Sequence, residues 1–430
     1  MILAVLPAAP RAQIAHEGAA IPEAPPAADP TRSTGDPSAP ISALTINAVG
    51  DGVTDNADAF TAMFADTQPD TYYFPPGTYR LSCDHHYLAA APISLLGSAR
   101  DATTIRYDRG CVGTEDLFRW DGQSNVKVEH LTIDLNYPAA APAIYSVLAS
   151  RAFSRPTKGF TVNDVAIVNG TSPVWLISVS PNGSNTFSDP VITNNHLSLA
   201  SAGTNQNQCL ALGVWWGSTP EARITGAVVK NNVCVNTGMQ IDGSNGLVED
   251  NDISGFAFGT GIFMVFDDGS HVSKTVPTTD HDNVIAYNIV HDSPPGLDVN
   301  QSPAGGIENN CYRCLIIGNV MHHLGGEGIR NFGERATIIG NVAYDNGKGG
   351  AAGALPAGFY IRASSLGKPY LSKSVFMSGN VAYDDGARTQ WYGYADDANI
   401  DGPVTLRANR FDGTTRAIYQ RSPKKTVDSD

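Results

Sequence analysis

A short apolar run that closes on asparagine recurs along most of this chain, and it constrains the fold more than any other feature. The copies are Val191-Ile-Thr-Asn-Asn195, Val228-Val-Lys-Asn-Asn232, Leu247-Val-Glu-Asp-Asn251, Val284-Ile-Ala-Tyr-Asn288 and Leu315-Ile-Ile-Gly-Asn319. Thr337-Ile-Ile-Gly-Asn341, Phe376-Met-Ser-Gly-Asn380 and Thr405-Leu-Arg-Ala-Asn409 continue the series. The tightest intervals are 19 residues (Asn232 to Asn251) and 22 residues (Asn319 to Asn341), and the others run from 29 to 39. One turn of a three-sheet coil needs three short strands and three bends, about 20 residues. The longer intervals are then the same coil carrying extra loop. Helical solenoids are excluded by the Val/Ile runs and scattered glycine. A propeller is excluded because its blades need an even period of roughly 40 residues. Each Asn is expected just after its strand, in left-handed or bridge backbone, with its amide bonded to the Asn one coil away. That ladder accounts for these residues, and no catalysis is assigned to them.

Composition agrees with stacked strands and tight turns. Of 430 residues 42% are hydrophobic, enough for a long core, while only 16% are charged against a globular average of about 25%. Net charge is −14, which argues against duplex DNA or an anionic membrane as partner and mildly against a strongly anionic polymer. No stretch approaches the roughly 20 apolar residues of a membrane span. Residues 1–10 are apolar and residues 7–12 rich in small side chains, like the tail of a secretory signal, although the positive n-region is missing. Residues 13–40 are crowded with Ala, Pro, Ser, Thr and Asp and lack an apolar period. The expectation is a signal-like leader and linker over 1–40, one domain over 41–430, and a secreted or periplasmic location. Six cysteines fit an oxidising compartment, but their pairing cannot be read from the sequence. Cys311-Tyr-Arg-Cys314 has the spacing of half a zinc site with no second pair to complete it, so a disulfide or two inert thiols is expected there.

Ahead of the repeats stands Asp51-Gly-Val-Thr-Asp-Asn56, then a helical stretch over residues 57–65 with Phe60, Met63 and Phe64 on one face and Asp55 as N-cap. Tyr72-Tyr-Phe-Pro-Pro-Gly-Thr-Tyr79 follows as strand, turn and strand. This combination resembles the opening motif of the pectate-lyase-like β-helix superfamily, which includes polygalacturonases, pectate lyases, exo-glucanases, alginate epimerases and phage tailspikes. The motif covers about residues 46–110, and the repeat pattern carries the likeness onward. The resemblance implies an all-β, right-handed parallel β-helix with a short N-terminal capping helix. It also implies a polysaccharide or oligosaccharide partner, met by a monomer or a homotrimer. Capping alone explains Asp51, Asp55, Pro75, Pro76 and Gly77.

After each Asn strand a further strand follows, often opening on Gly and a hydrophobic residue: Gly238-Met-Gln-Ile-Asp242, Gly261-Ile-Phe-Met-Val-Phe-Asp267, Gly296-Leu-Asp-Val-Asn300, Gly328-Ile-Arg330 and Gly358-Phe-Tyr-Ile-Arg362. Side chains alternate along a strand, so Ile262, Leu297, Ile329 and Phe359 inward put Gln240, Asp242, Asp267, Asp298, Arg330, Tyr360 and Arg362 outward. Coils stack about 4.8 Å apart, which turns these into a column. It runs from Trp215 and Trp216 through Asp242, Asp267, Asp268 and Asp298, with Glu308 on the following loop, to Arg330, Arg362, Tyr392 and Tyr394. Aromatic faces stack on sugar rings, carboxylates do acid–base work and arginine holds carboxylates or hydroxyls.

Two chemistries use such a column. In hydrolysis, Asp242 with Asp267 or Asp268 supplies a general acid and a water-activating base. The order Asp242, Asp267-Asp268, His291, Arg330 is similar in kind to that of polygalacturonases, but Asn-Thr-Asp, Gly-His-Gly and Arg-Ile-Lys are missing. In β-elimination or C5 epimerisation, Arg330 or Arg362 acts as base or neutraliser, with Asp242, Asp267 and Asp298 as Ca²⁺ ligands. The Asp-Pro-His-Glu signature of alginate epimerases is missing too. Hydrolysis leads because carboxylates outnumber candidate bases. A non-catalytic glycan-binding β-helix is the reading from another class. No histidine pairs at metal-ligand spacing on one strand, so no metal ligand is assigned and Ca²⁺ enters only with a lyase.

Overall fold

The computed structural model describes residues 39–427 apart from 83–85, 109–115, 137–145, 171–174, 202–207, 214–221, 258, 265–280, 296–303, 350–354, 364–373, 387, 401 and 424–425. Short strands coil repeatedly through three directions, and every pairing between coils is parallel, as with Val229 beside Val248 and Ile307 beside Ile329. We call the strand ending before each ladder Asn the first strand (Val228–Lys230, Leu247–Glu249), the next the second (Val233–Val235, Asp252–Ser254) and the last the third (Gly238–Ile241, Thr260–Met264). The third strands form a twelve-stranded sheet running from Tyr87–Ala89 to Arg416–Tyr419. This is the parallel β-helix that the repeat predicts, and no described helix is long and apolar enough to cross a membrane.

A two-residue bend joins each first strand to its second, and the ladder forms there. Asn195, Asn232, Asn251, Asn288, Asn319, Asn341, Asn380 and Asn409 are linked Nδ2 to Oδ1 along the axis at 2.8–3.0 Å. Each Nδ2 also donates to a main-chain carbonyl of the preceding coil, as Asn288 does to Val248 at 2.9 Å. The left-handed residue is the one before the ladder Asn, which corrects the expectation from sequence. Asn194, Asn231, Asp250, Tyr287, Gly318, Gly340, Gly379 and Ala408 take φ of 47–67° there. Only glycine enters that region without cost, so its use in three of these bends has a direct reason.

Inside the coil, aliphatic columns run the length of the molecule. In the third sheet Phe118, Leu148, Ile177, Leu210, Met239, Ile262, Ile307, Ile329, Phe359 and Tyr394 are in register and fully buried. Each such side chain contributes roughly 1.5–3 kcal/mol by leaving water. Disulfides join Cys209 to Cys234 and Cys311 to Cys314, all four buried. Cys83 and Cys111 lie outside the described residues.

The N-terminal end is closed by the helix Ala57–Phe64, whose Phe60, Met63 and Phe64 are buried. Phe60 and Phe64 lie 5.3–6.0 Å from Phe74, Tyr87 and Phe118. The N-cap position is Asn56, not the expected Asp55, and its side chain makes no capping bond; Asp55, one residue earlier, accepts from the Ala57 N–H at 3.1 Å. Apolar cover over the first coil keeps its strand edges from pairing with another chain.

Candidate active site

Third strands turn one residue outward between two inward ones, although many of these outward positions are covered. Their outward column reads Arg119, Ala149, Ser178, Ala211, Gln240, Phe263, Glu308, Arg330, Tyr360, Ala395 and Tyr419. A second outward line begins just after these strands and carries Asp242, Asn310, Phe332, Arg362 and Asp397. The chain leaves its longest intervals on either side of this sheet: 265–283 and 362–374 after it, 292–304 and 345–356 before it. Long connections on a rigid scaffold are where binding and catalytic residues concentrate.

The N-terminal half of this face is sealed. Arg151 is 1% exposed and donates to Asp116 at 2.8 Å, Ser178 at 2.7 Å, Ser180 at 2.9 Å and Ser146 at 3.1 Å. A guanidinium satisfied in this way and shut from solvent fixes structure rather than a ligand.

The C-terminal half is built differently. Arg330 sits between two glutamates on the same face. Its Nε and Nη2 both donate to Glu327 Oε2, at 3.2 and 2.5 Å, and its Nη1 donates to Glu308 Oε2 at 3.1 Å. The Glu327 side chain is fully shielded, whereas that of Glu308 keeps 18% exposure. Glu327 Oε1 has no hydrogen-bond partner, an exception to the rule that buried polar atoms are paired. Burial by itself would lower the Arg330 pKa, but Glu327 and Glu308 outweigh it and hold the guanidinium charged, above the ordinary arginine range.

An aromatic and cationic rim continues along the same face. Burial pushes the Tyr360 phenol up, reinforced by Asp397, to which it donates at 2.6 Å. The Arg362 guanidinium lies 5.3 Å from the ring centres of both Tyr360 and Phe332. Tyr392 and Tyr419 stack at 4.7 Å. On the other side Gln208 donates to Gln240 at 2.7 Å, and Asp242 follows that strand at 7% exposure.

The column expected from the sequence is therefore assembled in part. Asp242, Glu308, Arg330, Tyr360, Arg362 and Tyr392 come to one face. Trp215, Trp216, Asp267, Asp268 and Asp298 lie outside the described residues. Glu308 is on a strand, not a loop. The third strand of its coil is Gly305–Asn309 instead of the expected 296–300. Tyr394 is a correction as well: it stands in the inward register, is fully buried and donates to Asp396 at 3.0 Å, so it belongs to the core. His291 ends a second strand and so lies on a different sheet from Asp242 and Arg330, with its ring between Asp252 and Asp292 at 2.9 and 2.8 Å. Glu327 is the residue sequence reasoning missed. Its one signal is a carboxylate flanked by glycine in Gly325-Gly-Glu-Gly328, just before an Arg-bearing strand.

No family model and no curated protein sequence matches the chain. Among solved structures it is similar to the A-module of the mannuronan C-5 epimerase AlgE4 of Azotobacter vinelandii. The identity is 16%, 90% of this chain and 100% of that one are covered, and the TM-score is 0.66. It is also similar to the catalytic unit of a thermostable GH87 α-1,3-glucanase from Streptomyces thermodiastaticus strain HF3-3, at 14% identity, 93% and 70% coverage and TM-score 0.58. PfbA, a surface adhesin of Streptococcus pneumoniae, matches at 13% identity, 88% and 91% coverage and TM-score 0.55. At these identities the likeness establishes the parallel β-helix and nothing finer.

Proposed function

We propose that the protein is a glycoside hydrolase that takes an uncharged polysaccharide along the outer face of its third sheet, with Glu308 as a reacting carboxylate. The observation that carries this reading is Arg330 held between Glu308 and Glu327. A guanidinium kept charged by two carboxylates has no lone pair with which to take a sugar-ring proton, and three of its five N–H donors are bonded to them. The Tyr360 phenol, pushed up and donating to Asp397, is equally unsuited as a base. Elimination and epimerisation need a base and a neutraliser for a uronate carboxylate, whereas hydrolysis needs carboxylates. A net charge of −14 also disfavours a polyuronate.

In this reading Glu308 is the solvent-reaching carboxylate, and Glu327 is a positioning residue that anchors Arg330 from beneath. Asp242 is its partner on the same face, two coils away. At about 4.8 Å per coil the backbones stand about 10 Å apart. Turned toward one another, the two side chains suit an inverting pair, separated by roughly 6.5–9.5 Å with a water between. Tyr392 and Arg362, both partly exposed, form the rim against which sugar rings pack. Glycan-acting proteins among the structural neighbours are compatible with this choice, and the two disulfides support action in a secreted or periplasmic setting.

A panel of neutral glucans and fructans beside pectate and alginate, followed by reducing ends and ultraviolet absorbance together, tests the reading. Reducing ends from a neutral glycan without absorbance are expected. Absorbance from a polyuronate, the mark of a 4,5-unsaturated product, would replace hydrolysis by elimination; silence with retained binding would leave a glycan-binding module.

A further inference from the structure

Away from the third sheet, at the bend that follows the second strands, two histidines and an aspartate converge. His322 ends the strand Val320–His322, and His323 is the bend residue with φ 54°. In extended backbone two consecutive side chains would point to opposite faces. The left-handed turn at His323 instead brings them together, Nδ1 to Nδ1 at 2.8 Å. Asp292 occupies the same bend position one coil earlier, φ 56°, and its Oδ1 lies 3.7 Å from His323 Nδ1. One ligand atom from each of the three lies within 4.8 Å of the other two.

From this geometry we infer that Asp292, His322 and His323 form a site for a single divalent transition metal ion of the zinc type, pinning two successive coils at this corner. Two imidazole nitrogens and one carboxylate oxygen suit Zn²⁺, Co²⁺ or Cu²⁺. Ca²⁺ demands six to eight oxygens and does not fit. Tetrahedral coordination at about 2.0–2.1 Å sets two nitrogens roughly 3.3 Å apart, so the rings part by a few tenths of an ångström on binding. The Asp292 side chain is 59% exposed and that of His323 38%, which leaves room for water as fourth ligand.

The surrounding groups orient the donors. Asp292 Oδ2 meets His291 Nδ1 at 2.8 Å, and His291 Nε2 meets Asp252 at 2.9 Å, so the carboxylate is held from behind. His323 Nε2 faces Asp345 Oδ2 at 3.5 Å, the carboxylate–histidine arrangement that leaves Nδ1 as ligand. The His322 ring is stacked between His291 at 5.1 Å and Tyr344 at 4.8 Å. In the metal-free state one Nδ1–H donates to the other Nδ1. On binding, that proton passes through solvent to the same ring's Nε2, so the ring stays neutral and both Nδ1 lone pairs meet the ion.

The test is titration of the full chain, stripped with chelator and dialysed, with Zn²⁺ by calorimetry and with Co²⁺ by visible absorption. One equivalent per chain is expected, with Co²⁺ bands of tetrahedral intensity and a rise in Tm. D292N and H323N should each weaken binding at least tenfold, and H130N, a surface histidine beside Asp164, should leave it unchanged. D292N alters an exposed carboxylate, so its far-ultraviolet circular dichroism should match the wild type and keep the comparison sound. The inference is overturned if no equivalent binds, or if D292N and H323N bind as the wild type does.

Discussion

Replacing Arg330 by methionine isolates the energetics of the proposed site. Methionine keeps much of the aliphatic stem, so the packing loss is small. The consequence falls on Glu327. Its Oε1 has no partner already, and its Oε2 loses both guanidinium bonds, in a side chain fully shielded from water. Removing one member of a buried ion pair costs about 3–5 kcal/mol, because the remaining charge is uncompensated. Glu308 adds little, since its side chain still reaches solvent. The double variant E327Q/R330M removes both charges and should recover about 2–3 kcal/mol relative to R330M, a coupling between groups in direct contact. The assay is urea unfolding by fluorescence and far-ultraviolet dichroism, compared where the two transitions coincide. A cost below about 1 kcal/mol for R330M, or a double variant no better than the sum of the singles, would refute the reasoning.

Three further outcomes follow from the coil itself. N288A removes an amide that accepts from Asn251 N and Nδ2 at 3.0 and 2.8 Å, so two buried donors lose their partner; at about 1–3 kcal/mol each the loss is roughly 2–6 kcal/mol in urea unfolding. A408G relieves φ 47° at an exposed bend and should raise Tm by the equivalent of about 1 kcal/mol or less, and a lower Tm would contradict the strain assigned there. Asp55 is pushed up by burial, but bonds from Ser82 and the Ala57 N–H outweigh this and leave its pKa below the ordinary carboxylate value. Its contribution is therefore complete above the unfolded value of about 3.9 and is lost as pH falls through the depressed folded value, so D55N should flatten the acid limb of the stability profile.

The coil was legible because its physics repeats. An Asn after three strand residues appears wherever an amide must bridge coils, and eight copies expose the period even where loops stretch it. Inward and outward positions of the third strands followed from alternation, which is why Gln240, Asp242, Arg330, Tyr360 and Arg362 fell on the expected face. Where two segments offer the same local pattern, alternation cannot choose. Residues 296–297 and 306–307 both set a glycine before a hydrophobic residue, and stacking of Ile307 between Ile262 and Ile329 selects the second. Glu327 precedes its strand and so has no place in a period-two pattern. His323 and Asp292 are 31 residues apart in sequence and meet only because the coil returns each bend to the same corner. A search for ligand spacing along one strand has no way to find them.

The central claim is that a carboxylate on the outer face of the third sheet performs the chemistry, and E308Q tests it most directly. On the neutral glycan that yields reducing ends with the wild type, E308Q should lower kcat by about 10²-fold or more, the scale of general acid–base catalysis. KM should change little, because the rim of Tyr392 and Arg362 is intact. Turnover by E308Q at the wild-type rate would contradict the account, and so would products that absorb in the ultraviolet.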